Sequence, residues 1–306
     1  MRTKQKARER CTRDATVYGF PGRLAEVTSM YGRQLARATF VAFVLGLLPA
    51  CSTTLSTLQP ATPLPKGSVQ AGLAQNINVP IGRIVGVIDA SADPALRLLR
   101  DGEYKPTEDE QAQLLGAAVG LGLNPPGTTP DVMIRYGAFD DVDFGLRYSG
   151  TAIHADGKVR LFHTKDGLDG ALSLGLSRAR YSGLLFDVLD VVGIRDFSRT
   201  NLELPFIIGR PMGDYGHIWT GPKVIVSRYE VDATLVRTNV TTNASGFMFY
   251  GGAFAGVALG YKYVFGVAEL TLMYMKAGAN ILGREVNLGG VVLMPSVGIM
   301  ARFPLF

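Results

Sequence analysis

Residues 131–149 read DVMIRYGAFDDVDFGLRYS, and apolar and polar side chains alternate on both sides of a short acidic turn. Before the turn, Val132, Ile134 and Tyr136 share one parity. After the turn at residues 140–141 the alternation continues, with an apolar side made of Val142, Phe144, Leu146 and Tyr148. A period of two in both arms predicts a β-hairpin with one face in an apolar medium.

Much of the remaining chain repeats this pattern, with alternating segments at 69–79, 157–164, 168–180, 201–209, 217–231 and 289–306. Residues 247–275 are apolar enough to compete as a transmembrane helix, but each glycine there would weaken a helix by up to ~1 kcal/mol. Two strands joined near Gly260 to Lys262 fit that stretch better. We therefore predict an all-β fold for residues 68–306, an antiparallel up-and-down transmembrane β-barrel of about ten strands (roughly eight to twelve).

Residues 80–130 interrupt the strand pattern with helix signals. Asp93-Pro94 is an N-cap followed by proline at the first helical position, which predicts a short helix from Ala95 to Arg100. Residues 107–110, TEDE, form a capping box for a second helix that runs to about Val119. The sequence predicts a small helical insertion after the first strand, either a surface loop module or a plug. Residues 184–194 also show helical spacing.

The positive charge of the chain belongs to its first 50 residues. The formal net charge is +5, and residues 1–50 contain nine Lys/Arg and three Asp/Glu. Subtraction from 31 and 26 leaves 22 basic and 23 acidic residues, a net charge of −1 for residues 51–306. We therefore predict no nucleic-acid partner.

The basic segment contains an export signal. Residues 33–51 read RQLARATFVAFVLGLLPAC, a basic region followed by an apolar run too short to span a membrane comfortably as a helix. Its end, Leu48-Pro49-Ala50-Cys51, resembles the lipobox of bacterial lipoprotein signal peptides. The resemblance implies acylation of Cys51, and Ser52 resembles the pattern sorted to the outer membrane. The alternative is an ordinary cleaved signal with an incidental cysteine.

This interpretation divides the N-terminal part of the chain into three. Residues 1–29 are a mis-assigned start or a disordered leader, and residues 30–50 are the lipoprotein signal peptide. Residues 51–67 are rich in Thr, Ser and Pro without periodicity, which predicts a flexible tether between lipid and fold.

The end of the chain resembles a second bacterial signal. Phe306 follows an apolar strand, as in the C-terminal signal of bacterial outer-membrane barrels, although Arg302 and Pro304 share its parity. The resemblance to small outer-membrane β-barrels of Gram-negative bacteria implies location in the cell outer membrane, with outer-membrane lipid as a partner. The alternative is a lipid-anchored periplasmic barrel.

Charged residues on the polar parity indicate which face meets lipid. Each Lys or Arg on the lipid face would cost roughly 2–4 kcal/mol near the midplane. In a membrane barrel these residues must therefore face the lumen, where opposite charges can pair. The predicted lumen-facing charges are Arg135, Asp143, Arg147, Lys158, Arg160, Glu203 and Glu269.

No catalytic arrangement emerges from the sequence. Some outer-membrane lipid hydrolases use a His and a Ser two positions apart, but here His154, His163 and His217 are followed at that spacing by Asp156, Lys165 and Trp219. No His/Cys/Glu cluster has metal-ligand spacing. We therefore predict neither an enzyme nor a metal or cofactor.

The predicted function is a structural or partner-binding role through the loops, with a protein partner at residues 80–130. A barrel of about ten strands holds at most a narrow water path, because wide channels need roughly 16 strands. The first alternative is a narrow pore or transporter for small solutes, gated by the 80–130 segment. The second is a lipid-anchored periplasmic barrel that binds an apolar ligand.

Overall fold

The protein is described from a computed structural model that covers residues 54–81, 93–94, 97, 104–182, 192–235 and 240–305. The predicted leader, the signal peptide and Cys51 lie outside these residues, as does most of the predicted helix at 95–100. Within the described ranges, no helix is long and apolar enough to cross a membrane.

Ten antiparallel strands close into a barrel, as the sequence predicts. Each strand pairs with the next along the chain, except that the last strand lies between the ninth and the first. A four-residue strand pairs only with the end of the ninth and stays outside the ring. The strands are β1 (Ser68–Ile81), β2 (Gly127–Phe139), β3 (Val142–Ser149), β4 (Ala152–His163), β5 (Asp169–Ser182), β6 (Val192–Pro211), β7 (Gly216–Leu235), β8 (Val240–Tyr261), β9 (Val264–Ile281), β10 (Arg284–Asn287) and β11 (Gly290–Pro304).

The hairpin predicted at residues 131–149 is confirmed. Strands β2 and β3 meet at a turn made by Asp140 and Asp141, and Tyr136 lies opposite Phe144 across the ladder. The apolar parity points outward, since Ile134 and Leu146 are more than half exposed. The polar parity points into the barrel, where Arg135 is buried.

The apolar stretch at 247–275 forms parts of β8 and β9, joined at Lys262 and Tyr263, so the prediction of two strands is confirmed. The helical spacing at 184–194 does not correspond to a helix at its last positions. Residues 192–194 belong to β6, where they pair with the end of β7, and ladder hydrogen bonds decide their backbone conformation. Residues 183–191 are outside the described ranges.

The exterior of the barrel is apolar and bounded by aromatic residues at both ends. At the turn end, defined by the short connections after β2, β4, β6 and β8, the exposed aromatics include Tyr215, Tyr261, Tyr263 and Phe303. At the opposite end, the loop end, they include Tyr148, Phe247 and Tyr274. Such girdles around an apolar band are typical of transmembrane β-barrels. A soluble barrel has the reverse polarity, so the second alternative is not supported.

Strands β6 to β9 continue beyond the apolar band at the loop end, and the pattern of β7 inverts there. Its outward residues Val224 and Val226 are apolar, whereas Arg228 and Glu230, farther along the same face, are charged and exposed, and Asp232 is charged and partly exposed. The inward side changes from polar to apolar over the same interval. Eight residues from Arg228 to Leu235, at 3.3 Å each and tilted, raise this extension roughly 20 Å above the membrane band.

Helix α1 (Glu108–Leu123) fills the mouth of that extension. Its capping box forms as the sequence predicts, with Thr107 Oγ1 accepting from the Glu110 N–H and the Glu110 carboxylate accepting from the Thr107 N–H. The Tyr104 hydroxyl also donates to Glu110 over 2.7 Å, which lowers the pKa of that carboxyl. The helix reaches Leu123, one turn beyond the predicted end.

The position of α1 is more interior than a surface loop module. From Leu114 onward its described side chains are buried, and they pack against inward apolar residues of β6 to β9 such as Phe197, Tyr229 and Met275. The exposed residues of the helix, Glu108, Asp109 and Gln113, all lie near its N-terminus. The described part of the 80–130 insertion is therefore mainly a plug, the second of the two predicted possibilities.

Candidate functional site: the occupied lumen

Residues 54–66, called the lumen segment here, lie inside the barrel. Leu55, Leu58 and Leu64 are each no more than 2% exposed, and only Pro65 and Lys66 emerge at the turn end, just before β1. The sequence predicted a flexible tether for 51–67, and the structure corrects this for residues 54–67. The segment lacks periodicity because side chains from many strands surround it, so no single apolar face is needed.

One carboxylate holds two successive N–H groups of the lumen segment. Glu269, on β9, accepts from Thr57 N–H at 2.5 Å and from Leu58 N–H at 2.7 Å. It also accepts from the indole N–H of Trp219 at 2.9 Å and from the Thr271 hydroxyl at 3.1 Å. Leu58 has a positive φ of 49°, a backbone conformation that costs a non-glycine residue of order 1–2 kcal/mol. The paired N–H bonds to one anion stabilise that bend.

Cations from three strands hold carbonyl groups of the segment. Lys223 Nζ donates to the Leu55 carbonyl at 3.0 Å, and Arg147 Nη1 donates to the Ser56 carbonyl at 2.9 Å. Lys158 Nζ donates to the Pro60 carbonyl at 2.9 Å. The main chain of the segment is thus bound by both signs of charge, each to the complementary backbone group.

Two further contacts bracket the segment along the barrel axis. The Leu64 N–H donates to Asp143 Oδ2 at 2.9 Å, close to the turn end. The Leu55 N–H lies 3.1 Å from the sulfur of Met294, four residues into β11 from the loop end. The segment therefore runs along the lumen with its N-terminal part toward α1, which packs in the same apolar cluster as Leu55.

Apolar contacts complement the polar ones. Leu58 and Ala61 pack in a cluster with Trp219, Phe254 and Met300 on the inner wall. Gly137 permits the closest approach, since a Cβ on it would collide with the backbone carbonyl of Pro65 and come within 2.7 Å of that of Leu64. The inner wall thus fits the segment through large side chains at the Trp219 cluster and through the missing side chain at Gly137.

The predicted lumen-facing charges have the following positions. Arg135 forms ion pairs with Asp143 and Asp156, and Lys158 lies 3.2 Å from Asp143. Glu203 is buried, and its carboxylate pairs with Lys223. Arg147, Lys158 and Glu269 are buried and contact the lumen segment, as described above. Arg160 differs, because it is partly exposed at the turn end and pairs with Asp141.

Sequence reasoning left out several residues that complete this network. Lys223 lies 2.8 Å from Glu203, and Asp131 lies 3.9 Å from Arg147. Asp156 bridges Arg135 and the Gln59 amide. The alternation of β4 and β7 could have identified Asp156 and Lys223, since they share the parity of Lys158 and Trp219 respectively. Their partners could not be identified without the folded barrel.

The histidines are separate from one another. His154 is buried within 3.6 Å of Glu203, His163 Nδ1 lies 2.7 Å from Asp169 at the turn end, and His217 lies 2.7 Å from Arg302. Within the described residues, no group of three or more His, Cys, Asp or Glu side chains could hold a metal ion.

The cavities that described residues line beside the lumen segment are small. Two cavities next to it, one lined by Thr57, Gln59 and Arg135 and the other by Ser56, His154 and Lys223, measure about 20 Å³ and 10 Å³. A single water needs roughly 10–15 Å³ by this measure. These cavities hold one or two waters and provide no path for a hydrated ion.

No family model matches the chain, and no curated protein matches it. Solved structures similar to it include Neisserial surface protein A, at 11% identity and a TM-score of 0.31, covering 78% of this chain and 96% of that one. Another is Ail, the attachment invasion locus protein of Yersinia pestis, at 10% identity and a TM-score of 0.27, with coverages of 78% and 99%. The outer membrane protease OmpT from Escherichia coli has 8% identity, a TM-score of 0.39 and coverages of 78% and 94%. The barrel assignment rests on the strand pairing of this chain itself.

Proposed function

We propose that this chain is an outer-membrane β-barrel of a Gram-negative bacterium with a structural or partner-binding role, and that it does not conduct solutes while its lumen is occupied. The observation that carries the proposal is the lumen segment, bound along the barrel interior from Leu55 to Leu64. Helix α1 adds a second layer of occlusion at the loop end.

The balance of interior charge supports the same function. Asp143 pairs with Arg135 and Lys158, Glu203 pairs with Lys223, and Glu269 and Arg147 bind the backbone of the lumen segment, so these charges form no continuous path of one sign. A selective ion pore presents rings of one sign of charge. The rival function, a narrow anion path, needs the lumen segment to be absent.

The surface offered to a partner lies on the extension. The outward face of β5 to β8 above the membrane band carries charges of both signs, which surround a cavity of about 270 Å³ lined by Arg178, Arg180, Asp196, Ser198, Glu230, Val231, Asp232 and Asn243. Because α1 is largely buried, a partner meets this face and the acidic first turn of α1. The partner-binding part of the 80–130 insertion is then limited to its exposed residues.

Lipid attachment at Cys51 belongs to the same proposal and is supported by the lipobox residues Leu48 to Cys51. A three-residue connection from Cys51 to Thr54 spans at most about 11 Å. Since Thr54 is buried in the lumen, a lipid on Cys51 must lie within that distance of the bound lumen segment.

Conductance across a planar bilayer tests the proposed function. The intact protein should give a steady conductance near zero. Deletion of residues 82–128, which removes α1, should leave the conductance low, because the lumen segment still fills the barrel. A large, anion-selective conductance of the intact protein would refute the proposal in favour of the pore.

A further inference from the structure

The inner wall contacts the lumen segment mainly through groups that every peptide has. Four N–H groups, those of Leu55, Thr57, Leu58 and Leu64, and three carbonyls, those of Leu55, Ser56 and Pro60, are bound by the wall. The side chains of the segment make fewer polar contacts with the wall, from Thr54 to Met294, from Gln59 to Asp156 and from Thr62 to Asp169. Among the described residues, none hydrogen-bonds to Thr57 Oγ1 or to Gln59 Oε1.

The wall places its charges opposite the complementary main-chain groups of the segment, including the bend at Leu58. Acceptors, on Glu269 and Asp143, face N–H groups, and donors, on Arg147, Lys158 and Lys223, face carbonyls. These five side chains come from four strands, β3, β4, β7 and β9. Simple filling of a barrel needs only pairing across the lumen, whereas this wall directs charges to a polypeptide backbone on the axis.

Side chains of the lumen segment are recognised at only a few positions, which include the Gln59 amide at Asp156 and the Thr62 hydroxyl at Asp169. Leu58 packs against the Trp219 and Phe254 cluster, and Leu55 packs in the cluster that includes α1. Most of the remaining positions are small, hydroxylated or proline, and Gly137 leaves room for the main chain near Pro65. The wall thus fits a peptide that is bent at Leu58 and has leucines at two or three set positions.

The segment joins the barrel wall at an exposed connection. Lys66 is exposed at the turn end, and the Gly67 N–H donates to the Gly137 carbonyl at 2.8 Å as β1 begins. Every wall contact named above lies on the N-terminal side of this connection. The covalent link is therefore not needed for the geometry of the bound segment, only for its local concentration.

We propose that the lumen is a binding site for a polypeptide segment recognised through its main chain, with residues 54–66 as its resident ligand. A separate peptide of the same type replaces the segment once the covalent link is cut, entering from the turn end because α1 covers the loop end. The proposal rests on the lumen contacts alone and holds whether or not Cys51 carries lipid.

The test uses the full-length barrel in detergent micelles, with the recognition sequence of a site-specific protease inserted between Lys66 and Gly67. After folding and cleavage, a fluorescein-labelled peptide with the sequence of residues 54–66, TLSTLQPATPLPK, is added. We expect its anisotropy to rise to saturation as it displaces the resident segment, which mass spectrometry detects in the wash. The matched control is the same protein without protease, which should bind the peptide at least tenfold more weakly.

Two altered peptides distinguish main-chain from side-chain recognition. N-methylation at the positions of Thr57 and Leu58 removes both N–H groups that donate to Glu269, and it should weaken binding tenfold or more, since each such bond contributes about 1 kcal/mol or more. Replacing Thr57 with serine, which keeps the main chain, should change the affinity less than threefold.

Three results would overturn the proposal. The cleaved segment could stay bound without any exchange until the barrel unfolds, which would make it a permanent part of the core. It could leave without the peptide binding in its place. The N-methylated peptide could bind as tightly as the unmodified one. Lack of exchange would leave the non-conducting proposal intact, since an unexchangeable segment still fills the lumen.

Discussion

Replacing Glu269 with alanine should destabilise the folded barrel by about 3 kcal/mol and loosen the lumen segment. The substitution leaves three buried N–H donors without their acceptor, those of Thr57, Leu58 and the Trp219 indole, whereas the Thr271 hydroxyl can rotate to another acceptor. An unsatisfied buried donor costs about 1–3 kcal/mol, so the loss alone amounts to roughly 3–9 kcal/mol.

An opposing effect reduces this loss. The donors described for Glu269 are all neutral, so the folded state retains much of the desolvation cost of a buried carboxylate, and alanine removes that cost of several kcal/mol. We therefore expect the net change to be near the lower bound. Glu269→Gln keeps the size of the side chain and one acceptor oxygen, and it should lose less than Glu269→Ala.

Guanidinium unfolding in detergent micelles measures the change, with fluorescence from Trp219, the single tryptophan of the chain, as the signal. Trp219 is 3% exposed and donates to Glu269, so loosening of the lumen segment should also shift its emission to longer wavelength. The control is Glu230→Ala, an exposed carboxylate 3.3 Å from Arg228, which should change stability by less than ~1 kcal/mol. If Glu269→Ala behaves like this control and the emission is unchanged, the carboxylate does not hold the segment.

Four further predictions concern other parts of the chain. Gly137→Ala should displace the lumen segment and lower the unfolding midpoint. Gly266→Ala, whose added Cβ would lie 3.7 Å from the Leu259 carbonyl oxygen, should be tolerated, and a thermal melt of both variants measures the difference. Thr107→Ala should destabilise α1 by about 1 kcal/mol and speed amide exchange in its first turn. The pKa of Glu110 is lowered, so its stabilisation of the cap should be present above the unfolded pKa and lost as the pH falls through the folded pKa. Amide exchange rates in the first turn of α1 that stay flat across acidic pH would contradict this. Cys51→Ala should abolish labelling by a fatty-acid analogue, and persistent labelling would exclude the lipobox interpretation.

The occupied lumen changes how a pore hypothesis should be tested. Removing the helical insertion at 82–128 leaves residues 54–66 bound by Glu269, Asp143 and the lumen lysines. Only removal or release of the lumen segment empties the barrel. A rise in conductance after release, but not after loss of α1, would assign occlusion to the segment.

The sequence by itself determined the local structure of the wall. The period of two at 131–149 sets which side chains of β2 and β3 face lipid, because successive residues of a strand point to opposite faces. The glycines at 247–275 and the capping box at 107–110 likewise predict strands and a helix from local chemistry. Burial of Arg135, Asp143 and Arg147 follows from the cost of placing charge in lipid.

Only the tertiary structure decided what fills the barrel. The lumen segment has no periodicity, and its contacts join residues far apart in sequence, such as Thr57 with Glu269 at a separation of 212 positions and Leu64 with Asp143 at 79. The inversion of polarity along β7 likewise depends on where the membrane ends and α1 begins to line the interior. Local sequence patterns show which face of a strand is apolar. They do not show what packs against the other face, because the lumen segment meets that face only when the barrel closes around the segment.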